Sequence, residues 1–287
     1  MSPDTALVIE HHFQAFGGAA CDLFVCDGSH ADVSALVAEV HAFEAQLSRF
    51  QPNSELSLFN SAAGEWVEVS ALLQVILEEC LHAYARSDGL VNAAVHDAVV
   101  GAGYDRSIEF VRRRTAPVTV MPVAVPALPD VLEVRGRAAR LQRGAAIDVG
   151  GVAKGWLADT LAVRFDDACI SLGGDVCAVG GGPDAMGWSV GLVDGSAVRV
   201  RDGGVATSGT TGRRWAGGHH LIDPRTGAPA GTDALAVSVA ARDCVTAEAL
   251  AKAAVILGSA AAPSWLREHG ALRHAGLWRR QGREMVG

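Results

Sequence analysis

The sequence contains no Cys-x-x-Cys pair, and its cysteines are dispersed, so a zinc site is not indicated. Small secreted domains that depend on disulfides concentrate their cysteines, so a dense disulfide framework is excluded as well. We therefore expect reduced thiols that are mostly buried. The six cysteines are Cys21, Cys26, Cys80, Cys169, Cys177 and Cys244.

Positive charge is also in short supply. The chain has 24 Lys and Arg against 32 Asp and Glu, which gives a net charge of −8 at pH 7. Proteins that bind nucleic acid hold its phosphates with clustered Lys and Arg, so this balance argues against a general nucleic-acid binder. A small anion can still bind locally.

The chain lacks a leader pattern and a long apolar run. Residues Met1 to Phe13 carry acids and histidines rather than a basic region followed by an apolar one. No run approaches the roughly 18 apolar residues of a membrane span. We expect a cytoplasmic protein without membrane insertion.

Apolar material for a large core is abundant, at 49% of 287 residues, and the length allows one or two domains. The segment Arg112–Arg143, whose four prolines begin at Pro117, predicts a connecting loop with extended pieces. Ser54, followed by Ser57, offers helix caps. Apolar periodicity predicts helices over Asp32–Ser48, from a cap at Ser70 to about Ser87 and over Thr246–Gly258, and strands over Thr5–Phe13, Ala19–Cys26, Trp66–Val69, Val131–Val134, Ala138–Leu141 and Ala234–Ala241.

The segment from Ala145 to Asp159 predicts a strand, a tight turn and a helix. The apolar run Ala145–Val149 is followed by Gly150 and Gly151, and the helical segment opens with Lys154. Glycines let the backbone approach a ligand, and the first N–H groups of a helix have no internal partner, which favours an anion such as phosphate. The alternative is an ordinary connection with a solvated lysine.

Two later segments repeat this arrangement. The buried run Cys169–Leu172 ends at Gly173 and Gly174 and is followed by Asp175, and small polar residues lie among the glycines of Gly203–Gly209. Glycine-rich turns beside strands, each with a small polar or acidic group, predict the walls of one cleft.

The segment His219–Pro229 gathers two histidines, Asp223 and Arg225 around a tight turn. A histidine or aspartate there could move protons, and the arginine could bind an anion. The alternative is a hairpin with a core histidine. Tyr104 follows Gly101-Ala102-Gly103, and the residues alone favour a packed loop aromatic.

Five motifs in this order resemble the ApbE-like FAD:protein FMN transferase family, from about Phe13 to Gly258. The resemblance implies one domain over residues 1–287, built as one or two α+β lobes with mixed sheets, packed helices and a central FAD cleft. It also implies transfer of FMN from FAD to a Thr or Ser hydroxyl of a protein acceptor, with release of AMP. The motifs are Leu47-Ser48-Arg49-Phe50 with Ser54-Glu55-Leu56-Ser57, Asp148-Val149-Gly150-Gly151-Val152-Ala153-Lys154-Gly155, Leu172-Gly173-Gly174-Asp175, Ala206-Thr207-Ser208-Gly209 and His220-Leu221-Ile222-Asp223-Pro224-Arg225-Thr226-Gly227.

The same resemblance implies roles for individual residues. His220, Asp223 and Lys154 would assist the transfer, with Lys154 and the glycine amides neutralising the pyrophosphate. The FAD-binding set implied is Glu55, Tyr104, Gly150, Gly151, Lys154, Asp159, Ser171, Gly173, Gly174, Asp175, Thr207 and Ser208.

The sequence departs from the family at the implied metal site. The family's last helix reads Ala-Asp-Ala-Leu-Ala-Thr and holds a divalent metal together with a carbonyl at the position of Ala153, whereas this chain has Glu248 and Lys252. Glu248 and Lys252 stand four residues apart, as in a surface ion pair. Either Lys252 turns away and Glu248 ligates Mg²⁺, or the lysine charge replaces the metal; we favour the second hypothesis.

A second departure is Phe16-Gly17-Gly18, where the family commonly has Met-Gly-Thr. This difference affects the expected contacts with the flavin.

The sequence is compatible with three functions. The first is the flavin transferase, which the match at His220 and Asp223 favours. The others are an FAD pyrophosphatase that gives FMN and AMP, and a non-catalytic flavin-binding protein.

Overall fold

The computed structural model describes residues 7–26, 28–114, 120–280 and 283–286. Its helices are α1 (His30–Leu47), α2 (Glu55–Ser61), α3 (Ala71–Arg86), α4 (His96–Gly101), α5 (Ile108–Arg112), α6 (Leu128–Val131), α7 (Ala153–Ala162) and α8 (Cys244–Glu268). Its strands are β1 (Val8–Ala15), β2 (Ala19–Cys26), β3 (Val67–Glu68), β4 (Leu132–Arg135), β5 (Ala138–Leu141), β6 (Ala168–Leu172), β7 (Asp175–Val179), β8 (Trp188–Gly191), β9 (Ala197–Val200), β10 (Gly203–Gly209), β11 (Arg214–Trp215), β12 (Gly218–His219), β13 (Ile222–Asp223), β14 (Ala228–Pro229), β15 (Ala234–Ala241), β16 (Arg273–Arg280) and β17 (Arg283–Val286).

An eight-stranded antiparallel sheet organises these elements, in the order β1-β2-β6-β7-β10-β15-β16-β17. One face packs against α1, α7 and α8 around a large apolar core. The other face is covered in part by the β8-β9 ribbon. Successive residues of a strand point to opposite faces of the sheet, so each strand contributes side chains to the apolar packing on both faces. The mixture of helices and antiparallel sheets confirms the predicted α+β class.

Local sequence signals place most element boundaries. The predicted hairpin forms from β1 and β2, and its turn holds Phe16, Gly17 and Gly18 at positive φ. Residues Thr5 and Ala6 of the predicted first strand lie outside the described residues. Ser70 caps α3 and Ser54 caps α2, as predicted, because each hydroxyl accepts an N–H of the first turn. All six cysteines are buried, as expected.

The predicted strand over Ala145–Val149 is wrong. This segment joins no sheet, because its backbone groups find other partners. The side-chain amide of Asn60 bonds both the N–H and the C=O of Ile147, at 3.0 and 2.9 Å, and the N–H of Asp148 donates to the carbonyl of Ala93 at 2.8 Å. An Asn on α2 therefore replaces a neighbouring strand.

The predicted loop over Arg112–Arg143 is also more ordered than expected, since α6 precedes β4 with Pro129 in its first turn. Pro117 lies outside the described residues. Helix α8 extends the predicted helix to Glu268, with a break at Gly258, whose φ is 75°. This helix is long and apolar enough to span a membrane, but 72% of its apolar window is buried inside the protein.

Candidate active site

Helices α7 and α8 approach closely at Gly155. A β-carbon at this position would lie 2.9 Å from Cα of Val245 and 2.8 Å from Oε2 of Glu248, so glycine is required by space. The N–H of Gly155 donates to the same Oε2 at 2.9 Å. The crossing therefore brings a carboxylate of α8 to the N-terminal turn of α7.

Four buried charged side chains meet at this crossing. Nζ of Lys154 lies 2.5 Å from Oδ2 of Asp175 and 2.7 Å from Oε1 of Glu248, and Nζ of Lys252 lies 2.7 Å from that Oε1. Glu248 is fully buried, and Asp175 is 2% exposed. We call Lys154, Asp175, Glu248 and Lys252 the charge cluster. The predicted ion pair between Glu248 and Lys252 exists, but it is buried rather than on the surface.

The cluster shifts the pKa of each member. Burial alone would raise the pKa of Glu248, but the attraction of Lys154 and Lys252 outweighs it and holds this pKa well below its ordinary value. Burial and the neighbouring Glu248 carboxylate raise the pKa of Asp175 to about 6. Burial alone would lower the pKa of Lys154, but Asp175 and Glu248 raise it. Burial lowers the pKa of Lys252, and repulsion from Lys154 adds to this.

The predicted glycine turns border the charge cluster. Gly173 and Gly174 form a tight turn with φ of 66° and 94°, and a β-carbon on Gly173 would lie 3.6 Å from Cε of Lys154. A β-carbon on Gly151 would lie 3.7 Å from Cε of Lys252. The amide of Gly150 is already used, because it donates to Oδ1 of Asp148 at 2.8 Å. Two of the three turns thus lie against lysine stems.

His220 lies near enough to the charge cluster for the charge of Lys252 to act on it. Its Nδ1 is buried and has no hydrogen-bond partner among the described residues. Burial, followed by the positive charges of Arg213 and Lys252, lowers the pKa of His220 well below its ordinary value. The imidazole is therefore neutral at pH 7 and can accept a proton.

Arg213 is a site residue that the sequence interpretation missed. It lowers the pKa of both His220 and Lys154, and its guanidinium donates to the carbonyl of Phe16 at 3.4 Å. The sequence carried no signal for it, because it is the pairing of β11 with β12, with Arg214 opposite His219, that brings this segment together. Next to this pair, the N–H of His220 donates to the carbonyl of Arg213 at 3.2 Å.

Asp223 is not a free carboxylate. Nε and Nη2 of Arg225 donate to its two oxygens at 2.9 and 2.8 Å, and this pairing keeps its pKa below the usual range against the effect of burial. Its carbonyl accepts the N–H groups of Thr226 and Gly227 in the turn between β13 and β14. Within the described part of the chain, no hydrogen bond joins Asp223 to His220. Its predicted catalytic role stays a prediction.

His219, the other histidine of this segment, is structural. It is buried, Nε2 lies 3.1 Å from the carbonyl of Ala230, and Nδ1 accepts the N–H of Leu221 at 3.3 Å. In this segment His219, Asp223 and Arg225 therefore stabilise the hairpin, and His220 is the residue whose ring nitrogen has no partner among the described residues.

Two acids assigned to FAD are engaged in the scaffold. Asp159 accepts the N–H groups of Cys244 and Val245 at the start of α8, at 2.8 and 2.9 Å, and burial raises its pKa. Glu55 accepts the N–H and hydroxyl of Ser70, both at 2.6 Å, and the amide of Gln46 at 2.6 Å. Their FAD contacts stay predictions, because the structure places both carboxylates at helix N-termini.

Tyr104 is packed into a small apolar cluster. Its ring stacks on Trp215 at 5.4 Å, and the guanidinium carbon of Arg49 lies 4.7 Å from its centroid. The same arginine pairs with Asp148 at 2.8 Å, which ties this aromatic cluster to the Gly150 turn. The packed-aromatic interpretation describes this geometry, and a flavin contact stays a prediction.

The remaining polar residues lie on two faces of the sheet. Ser208 shares the α8 face with Ala206, whereas Thr207 shares the opposite face with Val205 and bonds Oγ of Ser238 at 2.8 Å. By the same alternation Ser171 lies on the face opposite the charge cluster. The sheet therefore places Ser171 and Thr207 on one face and Asp175 on the other, and the FAD contacts of all three stay predictions.

The implied metal donors do not suit a divalent cation. Both oxygens of Glu248 are taken, one by Lys154 and Lys252 and the other by the amide of Gly155. A cation of charge two beside two ammonium groups would be repelled. Within residues 7–26, 28–114, 120–280 and 283–286, no group of three or more His, Cys, Asp or Glu side chains is arranged to hold a metal ion.

Comparison with known proteins gives one consistent result. Residues 17–274 match the ApbE family. The chain is 30% identical to the FAD:protein FMN transferase of Treponema pallidum over 282 residues, covering 83% of this chain and 75% of that protein. It is 24% identical to the protein of the same name from Vibrio cholerae over 251 residues, covering 79% and 72%.

Solved structures share the fold. The flavinyl transferase ApbE of Pseudomonas stutzeri superimposes with a TM-score of 0.82 at 18% identity, over 100% of this chain and 96% of that one. The flavin transferase ApbE of Vibrio cholerae gives a TM-score of 0.76 at 19% identity, over 98% and 97%.

Proposed function

The chain belongs to the ApbE family, and from this premise we propose that it is an FAD:protein FMN transferase whose acceptor group is a Thr or Ser hydroxyl. The observation that carries the proposal is the neutral imidazole of His220, whose buried Nδ1 has no partner among the described residues and which lies within the influence of the charges of Arg213 and Lys252.

In the proposed reaction the imidazole of His220 accepts a proton, and the nearby cations stabilise negative charge. The acceptor hydroxyl oxygen forms a bond to the FMN-side phosphorus of FAD, and the bond from that phosphorus to the bridging oxygen breaks. AMP leaves with the electron pair of the broken bond, and Nδ1 of His220 takes the hydroxyl proton. The positive side chains around the cluster offset the charge that develops on the phosphoryl oxygens.

Hydrogen bonds of the scaffold position His220 and the lysine of α8. The Asp223–Arg225 pair fixes the hairpin that follows His220, and Asp159 fixes the start of α8, which carries Glu248 and Lys252. Pre-positioning of this kind supports transfer because the reacting groups need little reorganisation.

An acceptor-labelling experiment tests the function. The protein is mixed with FAD and an acceptor domain that carries a flavinylation threonine, and AMP release is measured alongside flavin fluorescence on the denatured acceptor. The same acceptor with that threonine changed to alanine is the control. Equal amounts of AMP and labelled acceptor support the transferase.

The other functions give different products. AMP without labelled acceptor, together with free FMN, identifies an FAD pyrophosphatase. Bound FAD with neither product identifies a flavin-binding protein. A cytoplasmic location remains part of the proposal and is tested by cell fractionation.

A further inference from the structure

We propose that the pyrophosphate of FAD is received by two cations of the protein, Lys252 and Arg213, in place of a divalent metal. The proposal rests on the proposed function, because it concerns the substrate of that reaction. It assigns a binding role to two side chains at the point where the implied metal donors fail to suit Mg²⁺.

Lys252 lies where an anion would meet the glycine turn. Its stem passes Gly151, at 3.7 Å from a β-carbon built there, and its charge acts on His220. Its side chain is 12% exposed, whereas Glu248 beneath it is fully buried. The ammonium therefore holds the carboxylate with one N–H and retains two further N–H donors for a ligand.

Arg213 supplies a second cation next to His220, whose N–H donates to the Arg213 carbonyl at 3.2 Å. Within the described residues it forms no ion pair with a carboxylate, and its guanidinium donates one hydrogen bond, to the carbonyl of Phe16 at 3.4 Å. Its charge acts on both His220 and Lys154. Guanidinium groups bind phosphate oxygens in a bidentate fashion, so this side chain suits a pyrophosphate.

The charges leave a surplus for an anion. When every group is ionised, Lys154 and Lys252 balance Asp175 and Glu248, and Arg213 adds one positive charge. A divalent cation would enter a region that already carries this surplus. A pyrophosphate instead meets the ammonium of Lys252 and the guanidinium of Arg213.

Lysine usage sets this place apart from the rest of the chain. The only lysines among the 287 residues are Lys154 and Lys252, and the other 22 of the 24 basic residues are arginines. Lysine differs from arginine in carrying a compact point charge on a flexible stem. Both compact charges are therefore concentrated at the predicted phosphate position.

The test measures FAD binding apart from catalysis. The dissociation constant for FAD is determined by flavin fluorescence in EDTA and in excess Mg²⁺, for the unchanged protein, Lys252→Met and Lys252→Arg. Riboflavin, which lacks the pyrophosphate, is the control ligand. Lys252→Met keeps Glu248 bonded to Lys154 and Gly155, so two of the three hydrogen bonds to this carboxylate are retained.

The proposal predicts that EDTA changes the FAD dissociation constant of the unchanged protein less than twofold. It predicts at least tenfold weaker FAD binding in Lys252→Met, unchanged riboflavin binding and recovery in Lys252→Arg. Arg213→Gln should also weaken FAD binding, whereas its exposed neighbour Arg214→Gln should not. If Lys252→Met does not fold, the proposal is decided by comparing FAD binding in Arg213→Gln and Arg214→Gln, and by comparing the unchanged protein with and without EDTA.

Two results would overturn the proposal: a tenfold loss of FAD affinity in EDTA, or unchanged FAD affinity in Lys252→Met. AMP and labelled acceptor are measured in the same samples. Metal-independent FAD binding without labelled acceptor contradicts the proposed function and leaves this inference standing. Labelled acceptor that forms only with Mg²⁺ supports the proposed function and contradicts this inference.

Discussion

Glu248 accepts hydrogen bonds from Lys154 and Lys252 at the same oxygen, with both Nζ atoms 2.7 Å from Oε1. Its other oxygen accepts the amide of Gly155. One buried carboxylate thus links α7, α8 and both lysines of the chain, and the stability and the chemistry of the site depend on it.

The two lysines should differ in their effect on stability. Lys154→Met removes the ammonium that pairs directly with Asp175 and should lower the free energy of unfolding by about 3–5 kcal/mol, the range for breaking a buried pair. Lys252→Met leaves Glu248 with two partners and should cost clearly less. Urea unfolding of the two variants makes the comparison, and equal losses would contradict the asymmetry.

The helix crossing at Gly155 should tolerate no side chain. Gly155→Ala places a β-carbon 2.9 Å from Cα of Val245 and should lower the free energy of unfolding by about 1–3 kcal/mol through overpacking. Gly191→Ala is the matched control, because a β-carbon there meets nothing within 4 Å. A stability gain in Gly155→Ala would show that the helices can separate at no cost.

Asp175 should make the protein less stable as the pH rises from about 4 to 6. Its pKa is raised to about 6 in the folded state, so the folded protein binds more protons than the unfolded chain in this window. The resulting stability is complete below the unfolded pKa and is lost as the pH passes the folded pKa. The urea midpoint of Asp175→Asn, measured relative to that of the unchanged protein, should therefore rise between pH 4 and 7, and a constant difference would contradict the raised pKa.

His220 should remain neutral through the whole physiological range. Because its pKa lies well below its ordinary value, kcat/KM for transfer should not fall between pH 8 and 6.5. The profile is measured with FAD and acceptor by AMP release. A loss of rate with an apparent pKa near 6.5 would indicate an ordinary, solvated imidazole as the proton acceptor.

His220→Gln should slow transfer by roughly 10²- to 10⁴-fold, the usual contribution of a general base. FAD affinity should change little, because the cations that receive the pyrophosphate are unaltered. His82→Gln is the control, since that histidine is exposed on α3. An unchanged transfer rate in His220→Gln would remove the imidazole from the mechanism.

Local signals predicted the parts of the fold that depend on neighbouring residues. The β1-β2 hairpin and the Ser70 cap follow from alternation and from a hydroxyl before an apolar run. The segment Ala145–Val149 could not be predicted, because its partner is the side chain of Asn60, which lies 87 positions before Ile147 in the chain. A strand pattern states which residues are extended, but not what they bond.

The site shows the same division. The glycine turns and the lysines were found from residue type and order, and the pairing of Glu248 with Lys252 follows from helical spacing. Its burial does not, because that depends on α7 crossing α8 at Gly155. Arg213 was missed for a related reason, since its proximity to His220 depends on the pairing of β11 with β12.

The most direct test of the function is the mass of the acceptor after reaction with FAD. We predict that the denatured acceptor gains the mass of FMN less one water, that the modified residue is the acceptor threonine, and that one AMP appears for each acceptor labelled. An acceptor of unchanged mass, with AMP and free FMN accumulating or with FAD left intact, would contradict the assignment as a transferase.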